Sequence, residues 1–461
     1  MKNITKALLL LLVSWSCISA KIETKEVKKP NIIFILADDL GYMDLGCYGN
    51  PFNETPNLDS LAKGGMRFTQ AYSSSTVCSP SRAAIMTGKH PARLKITNFL
   101  VGDRTDANSP VLPANWQKFL PSSEITLAER LKTFGYQTGM VGKWHLGDAD
   151  SLAPWSQGFD YTRLIGKNGL DYYNYGIFEG SYKKTFTDNG KEYMTDKLTD
   201  YAIDFIEKKD AEKPFYLHLC YSAPHVLLVP KADKLRKYFL KYEKYKGKYN
   251  PDYATMIESM DEGIGRIMAT LKQQNLLDNT LIIFASDNGG VGLPELGPIP
   301  TNSEPLRKWK GHVYEGGIRV PTIMYWKGGI QAQQTCHQYF MNTDYVPTIL
   351  DILGQNPIVS PDGMSILPLL KNPEKPFNRG AMYWHYPHFS NQMSRPAGAI
   401  RQGDWKLAES FETGELELFN LKEDIGETKN LLKEQPEKAQ ELTQLLKKWQ
   451  LSVEANMPIR K

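Results

Sequence analysis

The chain has 461 residues, enough for a large core and for more than one structural unit. Hydrophobic residues make up 41% and charged residues 23%, and the 36 glycines and 28 prolines follow no repeat. This composition excludes a disordered, collagen-like or coiled-coil protein and predicts a globular one. The net charge of only +4 excludes a nucleic-acid-binding protein, so any anion that binds must be recognised by a local site.

The first twenty residues have the pattern of a secretory signal peptide. Two lysines precede an apolar stretch from Ala7 to Val13, and small residues end the segment at Ala20. The apolar stretch is far shorter than the ~20 residues that span a membrane. We therefore expect residues 1–20 to be removed and the mature chain to be soluble, without a transmembrane segment, and periplasmic or secreted. Cys17 raises a lipid-anchored form as the alternative, although the residues before it fit a lipidation site poorly.

After a charged linker, apolar strands alternate with helical stretches along most of the chain. The first strand, Asn31 to Ala37, is continuously apolar, as is typical of strands buried on both faces of a parallel sheet. Further strands are predicted at Gly139 to Trp144, Phe215 to Tyr221, Leu281 to Ser286 and Pro321 to Trp326. Helices are predicted at Asn57 to Lys63, Glu124 to Phe134, Asp196 to Lys208, Tyr253 to Gln274 and Thr343 to Leu353. The alternation predicts an α/β fold, with a large doubly wound parallel or mixed sheet flanked by helices.

The C-terminal part of the chain has a different pattern. A Pro-rich stretch at 356–376 is followed by short alternating strands between 399 and 421 and by a helix from Pro436 to about Leu451. These elements predict a smaller antiparallel α+β subdomain closed by the C-terminal helix. We place the main α/β domain in residues 21–370 and the C-terminal subdomain in residues 371–461.

Acidic residues follow two of the predicted strands and predict a metal site. Asp38 and Asp39 end the first strand, and Asp287 and Asn288 end a strand much later in the chain. In open α/β sheets, ligands bind beyond the carboxyl ends of the strands. Carboxylates ~5 Å apart repel by roughly 3 kcal/mol per pair, so three together need a cation, and an all-oxygen set suits Ca²⁺ or Mg²⁺ better than zinc. The alternative is that each group caps the next helix.

A cysteine stands at the start of a distinctive segment, Val77 to Gly88. Cys78 precedes a Pro-containing turn and a short helix that ends at Gly88. The N-terminus of a helix attracts an anion, and Arg82 adds a permanent positive charge beside it. The segment therefore predicts an anion-binding turn. The alternative is a buried thiol that happens to lie near a helix start.

The run Cys78-Ser79-Pro80-Ser81-Arg82, followed by Thr87-Gly88, resembles the signature of the type I, formylglycine-dependent sulfatases. The resemblance covers nearly the whole mature chain through further motifs in the same order. These are Asp38 to Gly41, Gly142 to Gly147, Ala223 to His225, Ser286 to Gly289, and Leu306 to Val320 with Lys310 and Glu315-Gly316-Gly317. It implies an alkaline phosphatase-like fold and the hydrolysis of sulfate monoesters. The chain departs from the family at Lys308-Trp309, where two small residues are usual, so we expect the rim of the pocket to differ there.

The resemblance also implies a nucleophile and its metal. A formylglycine-generating enzyme would oxidise Cys78 to formylglycine (3-oxoalanine), whose hydrate attacks sulfur and displaces the alcohol. The hydrate at Cys78 and the side chains of Asp38, Asp39, Asp287 and Asn288 would hold one Ca²⁺, which acts as a Lewis acid. Asp287 would help to deprotonate the attacking hydroxyl.

The remaining motif residues receive roles in proton transfer and charge neutralisation. By resemblance, His225 and Lys310 protonate or stabilise the leaving oxygen, and His145 accepts a proton from the second hydroxyl so that sulfate is eliminated. Lys143 and Arg82 neutralise the diol and the sulfate oxygens. Each histidine taken alone has a structural alternative, a hydrogen-bonded core residue for His145 and a turn for His225.

The expected substrate is a sulfated carbohydrate cleaved from the end of a glycan. Resemblance to the galactosamine-sulfatase branch of the family favours galactose or N-acetylgalactosamine sulfate. Trp309 offers an indole face for a pyranose ring next to Lys310. Further candidates on loops are Arg104, Trp116, His312 and Arg395, for which surface charge or local packing is an equal explanation.

Two other functions stay open at this point. One is hydrolysis of a phosphate or phosphonate ester by an enzyme of the same superfamily, although the sequence lacks the usual histidine ligands for two zinc ions. The other is a non-catalytic protein that binds sulfated glycans, which would follow if Cys78 stays a thiol. The mass of the peptide that contains Cys78 distinguishes this last alternative from the enzyme.

Overall fold

The computed structural model describes residues 29–166, 171–183, 185–187, 192–245, 247–293 and 299–461. The predicted signal peptide lies outside the described residues, as does the lipid-anchoring alternative at Cys17. Within these ranges, every helix is either too short or too polar to cross a membrane.

The described strands form one large sheet, one small sheet and two short pairings. In chain order they are β1 (Asn31–Ala37), β2 (Met66–Phe68), β3 (Ala71–Tyr72), β4 (Val111–Leu112), β5 (Gln137–Gly142), β6 (Tyr161–Ile165), β7 (Gly176–Phe178), β8 (Thr185–Thr187), β9 (Phe215–Cys220), β10 (Thr280–Ser286), β11 (Thr322–Tyr325), β12 (Gln334–Cys336), β13 (Phe340–Met341), β14 (Met382–Tyr386), β15 (Ala397–Gln402), β16 (Trp405–Ser410), β17 (Leu416–Asn420) and β18 (Ile459–Arg460).

The α-helices of the described residues lie mostly between strands of the large sheet. In chain order they are α1 (Pro56–Gly64), α2 (Cys78–Thr87), α3 (Pro91–Leu94), α4 (Leu127–Thr133), α5 (Met194–Lys208), α6 (Ala232–Lys244), α7 (Pro251–Gln273), α8 (Glu315–Ile318), α9 (Tyr345–Ile352), α10 (Leu367–Lys371) and α11 (Pro436–Ser452).

The large sheet has the strand order β12-β2-β11-β10-β1-β9-β5-β6-β7-β8. Its five central strands, from β10 to β6, run parallel, whereas both ends of the sheet contain antiparallel pairs. In the register of the central strands, Ala37 lies opposite Ser286, Leu36 opposite Cys220, and Cys220 opposite Gly142. Four neighbouring strands therefore end at the same level and direct the following loops to one edge. This mixed sheet confirms the predicted α/β fold.

Both faces of the large sheet are covered, because alternate side chains of a buried strand point to opposite faces. Ile32 and Phe34 of β1 belong to a core with residues of α2, α4 and α9. Ile33 and Ile35 belong to a second core with residues of α1, α5 and α7. The continuous apolar run of β1 thus reflects burial on two sides, which explains why it shows no polar alternation.

The small sheet is an antiparallel meander in the order β14-β15-β16-β17. One face packs against α11, where Leu442 and Leu446 join a core with Leu407 of β16. The other face packs against the large unit, where Trp384 of β14 joins a core with Ile318 of α8. The predicted C-terminal antiparallel unit with its closing helix is therefore present, and β18 returns to pair with β4 in the large unit.

Two predicted boundaries were wrong for local reasons. The second predicted strand was expected to reach Trp144, but β5 ends at Gly142, where φ is +103° and a Cβ would overlap the carbonyl oxygen of Cys220. The helix expected from Glu124 begins only at Leu127. Thr126 caps it, since its Oγ1 accepts from Glu129 N at 3.2 Å while Glu129 Oε2 accepts from Thr126 N at 2.8 Å.

Candidate active site

The candidate site lies beyond the carboxyl ends of four neighbouring parallel strands. The loops that follow these strands carry most of the side chains singled out in the sequence. Asp38 and Asp39 follow β1, Lys143 and His145 follow β5, His225 follows β9, and Asp287 and Asn288 follow β10. Residues that are far apart in the chain thus meet at one edge, as expected for a ligand site of an open α/β sheet.

Each buried carboxylate of the site has a cationic partner from the protein. Lys143 Nζ lies 2.5 Å from Asp38 Oδ2, Lys310 Nζ lies 2.6 Å from Asp39 Oδ2, and Arg82 Nε and Nη2 lie 2.9 and 2.7 Å from Asp287 Oδ2. Three negative charges therefore meet three positive ones. The sequence argument that three clustered carboxylates require a metal was incomplete, because Arg82, Lys143 and Lys310 already balance them.

Burial and neighbouring charges move the pKa values of this cluster in different directions. Burial raises the pKa of Asp38, but the charges of Lys143 and Arg82 help to outweigh it and hold that pKa well below its usual range. Burial, followed by the charge of Asp38, raises the pKa of Asp287 to about 7. The two carboxyl groups thus interact through their charges, as expected for like charges in one buried site.

The carboxylate and amide oxygens of the cluster fit a hard divalent cation. Asp38 Oδ1 and Asn288 Oδ1 are buried and have no hydrogen-bond partner among the described residues. Asn288 Nδ2 donates to Asp39 Oδ1 at 2.7 Å, and Asp39 N donates to Asp287 Oδ1 at 3.2 Å, which links these three residues. Possible ligand atoms of Asp38, Asp39 and His225 lie within 4.8 Å of one another. An oxygen-rich set with unpaired buried acceptors suits Ca²⁺ or Mg²⁺.

Cys78 is the first residue of α2, not a residue of the loop before it. The helix places the thiol in the same cavity as Asp38 and Lys310. Burial raises the pKa of the Cys78 thiol, although Lys143 and Lys310 oppose that shift. The helix ends at Thr87, and Gly88 caps it with a φ of +71°.

The other motif residues of α2 hold the helix in place. Ser81 Oγ accepts from Asn342 Nδ2 at 2.8 Å, and Ser79 Oγ accepts from Leu100 N at 3.2 Å. Arg82 Nη1 donates to the carbonyl oxygen of Lys143 at 2.9 Å, in addition to its contacts with Asp287. Within the signature, Cys78 faces the cavity while these polar side chains fix its position against three other segments.

Both candidate histidines line the cavity and are held neutral. Burial, with the charges of Lys143 and Arg82, keeps the pKa of His145 well below its usual range, and its Nδ1 has no partner among the described residues. Burial lowers the pKa of His225 to about 4, even though its Nε2 lies 3.4 Å from Asp39 Oδ2. A neutral imidazole with an unpaired nitrogen can accept a proton or a hydrogen bond from a ligand.

The cavity above these residues has a volume of about 510 Å³. Its polar end is formed by Asp38, Cys78, Lys143, His145, His225 and Lys310. Its other walls are formed by the loop and strand residues Phe99, Leu100, Val101, Leu164, Ile165, Tyr172, Tyr182, Asn391 and Gln392, among others. The volume and the mixed walls suit a small organic group that carries one anionic end.

The structure does not place the expected substrate-binding residues along this cavity. The Trp309 indole packs over Gly292 instead, and its Nε1 donates to the carbonyl oxygen of Gln392 at 3.2 Å. His312 and Arg395 line a second, smaller cavity of about 310 Å³. Arg104 is exposed and is not among the residues that line either cavity.

Two of these loop residues are already paired on the protein surface. Arg395 Nη1 lies 2.7 Å from Asp106 Oδ2, and Arg395 Nε lies 2.5 Å from Glu412 Oε2. Trp116 Nε1 donates to Asp103 Oδ1 at 2.7 Å. The cavity residues that the sequence argument missed, such as Phe99 and Gln392, stand in loops that no motif or spacing marks.

Comparisons with known proteins extend over nearly all of the described chain. The family model described as "Sulfatase" matches residues 30–355, and the model described as "N-sulphoglucosamine sulphohydrolase, C-terminal" matches residues 308–455. A "Sulfatase" of Formosa agariphila is 31% identical, covering 95% of this chain and 90% of the relative. Human N-acetylgalactosamine-6-sulfatase is 34% identical, covering 74% of this chain and 66% of the relative.

A solved structure shows the same fold. The crystal structure of Ps i-CgsB in complex with k-i-k-neocarrahexaose has a TM-score of 0.79 and 30% sequence identity, and the match covers 92% of this chain and 93% of that one. The fold is that of the alkaline phosphatase-like hydrolases. The chain belongs to the sulfatase family, and it is a sulfuric ester hydrolase.

Proposed function

We propose that this sulfatase removes a sulfate group from the end of a carbohydrate chain. The observation that supports the proposal most directly is the cavity. It joins a polar end, with Cys78, Lys143 and Lys310, to apolar and hydroxyl-bearing walls in a volume of about 510 Å³. A hexose or N-acetylhexosamine sulfate has one charged end and a ring with an apolar face, which suits that division.

The similarity to human N-acetylgalactosamine-6-sulfatase favours galactose or N-acetylgalactosamine as the sulfated unit. The similarity to Ps i-CgsB, whose complex holds a neocarrahexaose, also supports a saccharide substrate. Phosphate or phosphonate esters are the alternative substrates within the superfamily, and they belong in the same assay as competitors. In this proposal the chain has two units, residues 21–370 and residues 371–461. The first unit contains the catalytic groups, and the second unit contributes part of the cavity rim.

In this proposal the reacting group is Cys78 after conversion to formylglycine by a separate generating enzyme. The environment supports a role for a modified residue, because burial raises the pKa of the thiol and keeps it protonated at neutral pH. A protonated thiol is a poor nucleophile. Arg82, Lys143 and Lys310 surround the same end of the cavity and offer hydrogen-bond donors for sulfate oxygens.

The proposed metal ligands are Asp38, Asp39, Asp287, Asn288 and the modified Cys78. When bound there, Ca²⁺ polarises a sulfate oxygen as a Lewis acid. Because the three carboxylates are already matched by three cationic side chains, the divalent ion leaves the centre positive and complementary to the anionic ester. Asp38 Oδ1 and Asn288 Oδ1 are buried and accept no hydrogen bond from the described residues, which supports this assignment.

The histidines and Lys310 are proposed to handle protons at separate positions. Lys310 Nζ, held by Asp39, donates toward the oxygen of the leaving alcohol. His225 does so from Nε2 in its protonated form, since its Nδ1 already donates to the carbonyl oxygen of Val226. His145 accepts the proton whose loss releases sulfate, and its Nδ1, which has no hydrogen-bond partner among the described residues, is available for that proton. Asp287 accepts the proton of the attacking hydroxyl.

The nucleophile is tested by mass analysis and substitution. The Cys78 peptide from the native host should show the mass of formylglycine, and Cys78→Ala should fold but release no sulfate from any ester. Cys336→Ala is the matched control, since Cys336 is also buried but lies outside the cavity, and it should keep full activity. Sulfate release by Cys78→Ala, or an unmodified thiol in fully active enzyme, would show that another group reacts.

The proton-transfer roles are tested by comparing leaving groups. If His225 helps to protonate the leaving oxygen, His225→Ala should lose far more activity on sugar sulfates than on aryl sulfates, whose phenol leaves without protonation. His145→Ala should instead accumulate a sulfated enzyme that mass spectrometry detects. His337→Ala, an exposed histidine, is the control. Equal losses on both esters, with no trapped intermediate, would contradict these roles.

We also propose that the chain is exported, on the pattern of its first twenty residues. Expression in a bacterial host with the native N-terminus should yield a periplasmic or secreted protein that begins after Ala20. An unprocessed N-terminus would contradict export, and a lipid on Cys17 would favour the anchored form.

A further inference from the structure

Gln392 lines the cavity and has a buried side-chain oxygen without a hydrogen-bond partner among the described residues. The residue is 1% exposed and lines the cavity together with Lys310. Its Oε1 has no hydrogen-bond partner among the described residues. Leaving a buried carbonyl without a partner costs about 1–3 kcal/mol, so such an atom in a ligand cavity indicates a donor supplied by the ligand.

The loop that carries Gln392 is held on both sides of this residue. Its backbone N donates to Ser390 Oγ at 2.9 Å, and its carbonyl oxygen accepts from Trp309 Nε1 at 3.2 Å. Ser390 N also donates to the carbonyl oxygen of Ser394 at 3.2 Å, which closes the loop. The Gln392 backbone is therefore fixed by hydrogen bonds on its donor and its acceptor.

The same loop packs on the backbone next to Lys310. A Cβ on Gly311 would lie 2.9 Å from the hydroxyls of Ser390 and Ser394 and 3.0 Å from Gln392 Cβ. This close approach needs a glycine, and Gly311 also has a φ of +88°. The position of Gln392 is thus set relative to Lys310, which stands at the polar end of the cavity.

On the basis of the carbohydrate substrate proposed above, we propose that Gln392 determines specificity. Its Oε1 accepts a hydrogen bond from a hydroxyl or amide N–H of the sugar unit whose sulfate lies at Lys310. Trp309 is a positioning residue, since its indole N–H holds the Gln392 carbonyl and its ring packs behind the loop on Gly292. The chain departs from the family pattern at Lys308-Trp309, and in this proposal Trp309 positions Gln392 instead of stacking on the sugar.

The test compares a sulfated monosaccharide with 4-nitrophenyl sulfate, which has no sugar hydroxyl. Gln392→Met keeps the length of the side chain and removes both polar atoms. It should lower kcat/KM for the sugar sulfate about 10- to 100-fold and change it less than about threefold for the aryl sulfate. Gln450→Met is the matched control, because Gln450 on α11 is also buried with an unpaired amide atom but lies outside the cavity.

A series of monodeoxy sugar sulfates separates recognition from a general disturbance of the site. The wild type should cleave one of the deoxy analogues much more poorly than the parent sugar. Gln392→Met should cleave that analogue and the parent sugar equally well, because the hydroxyl that the analogue lacks is the partner of the acceptor that the variant lacks. Equal loss on sugar and aryl sulfates, or equal penalties for every analogue in both enzymes, would overturn the assignment. A wild type that cleaves aryl sulfate but no sugar sulfate would overturn the proposed function itself, and the assignment with it.

Trp309→Phe tests the positioning role. A smaller aromatic ring replaces the indole and the N–H is lost, so KM for the sugar sulfate should rise about three- to tenfold with kcat and aryl sulfate activity unchanged. Added to Gln392→Met, the substitution should cause no further loss, because both changes remove the same contact. Additive losses would show that Trp309 acts independently of Gln392.

Discussion

Replacing Lys406 with methionine is expected to weaken the attachment of the small sheet to the site. Lys406 on β16 is completely buried, with its Nζ 3.0 Å from Glu315 Oε1 and 2.8 Å from Glu427 Oε1. Glu315 is the first residue of α8, and the next two glycines of that helix pack against Gly289, whose N donates to the carbonyl oxygen of Gly317 at 3.0 Å. This ionic contact thus supports the loop that carries Asn288.

The expected loss of stability follows from the two distances. At an effective dielectric constant near 20, each contact corresponds to about 6 kcal/mol of gross attraction, reduced by desolvation of the ions and by repulsion between the two carboxylates. Removing one partner of a buried ion pair costs about 3–5 kcal/mol, because the other charge stays buried. Glu315 keeps a cationic partner, because Arg319 Nη1 lies 3.2 Å from Glu315 Oε2. Most of the lost stability is therefore expected to come from Glu427, whose buried charge no longer has Lys406 beside it.

The pH dependence of this loss has a definite sign. Burial raises the pKa of Glu427 to about 7 despite Lys406, with the charge of Glu315 as a further cause. Without Lys406 the pKa of Glu427 rises further. When the pH is below this pKa, a proton neutralises the buried carboxyl, and when the pH is above it, the carboxylate is charged and lacks its cationic partner. A folded-state pKa that is raised means stability is lost as pH rises through it. Lys406→Met should therefore be more destabilising at pH 8 than at pH 6.

The assay is urea unfolding followed by tryptophan fluorescence at both pH values. Lys406→Met should lower the free energy of unfolding by about 3–5 kcal/mol at pH 8. Adding Glu427→Gln should recover a large part of this loss, because the unpaired carboxylate is removed. Lys438→Met on α11 removes a partly exposed ion pair with Glu441 and should change stability by less than about 1 kcal/mol. A loss for Lys406→Met as small as that of the control, or equal losses at pH 6 and pH 8, would refute the reasoning.

Three further outcomes are expected. Gly142→Ala should lose at least about 3 kcal/mol or fail to fold, because its Cβ would overlap the Cys220 carbonyl oxygen at a positive φ, as measured by the unfolding midpoint. Burial raises the pKa of Asp261 to about 6, so the stability of the wild type relative to Asp261→Asn should fall by up to about 3 kcal/mol between pH 3.5 and 6.5. Chelation should abolish sulfate release while far-UV circular dichroism stays native, and added Ca²⁺ should raise the unfolding midpoint with its concentration.

A control variant or a contradicting outcome tests each of these three predictions. Gly135→Ala has a similar positive φ of +84° but no atom within 4 Å of the new Cβ, so an equally large loss there would show that the overlap at Gly142 is not the cause. Stability curves of wild type and Asp261→Asn that run parallel with pH would contradict the raised pKa. Unfolding on chelation would mean that Arg82, Lys143 and Lys310 do not balance the carboxylates, and full activity without metal would refute the ligand assignment.

The sequence by itself was sufficient for the central strands, the main helices and most of the side chains that meet at the edge of the large sheet. The apolar run of β1 and the amphipathic α11 are local patterns, and their periodicity reflects burial without knowledge of the partner. The signature around Cys78, with the acidic residues after β1 and β10, was enough to indicate a sulfatase. Strand ends such as Gly142 were missed, since the φ of a glycine and its approach to Cys220 depend on the neighbouring strand.

Only the tertiary structure decided how those groups pair and what surrounds them. Lys310 meets Asp39 and Arg82 meets Asp287 across more than 200 residues of chain, so the charge balance of the site has no local signal. The same holds for Gln392, which reaches the cavity because β14 and β15 pair and the loop between them rests on Gly311. Local patterns specify which residues are buried or reactive, whereas the meeting of distant loops at one sheet edge depends on the topology of all the strands between them.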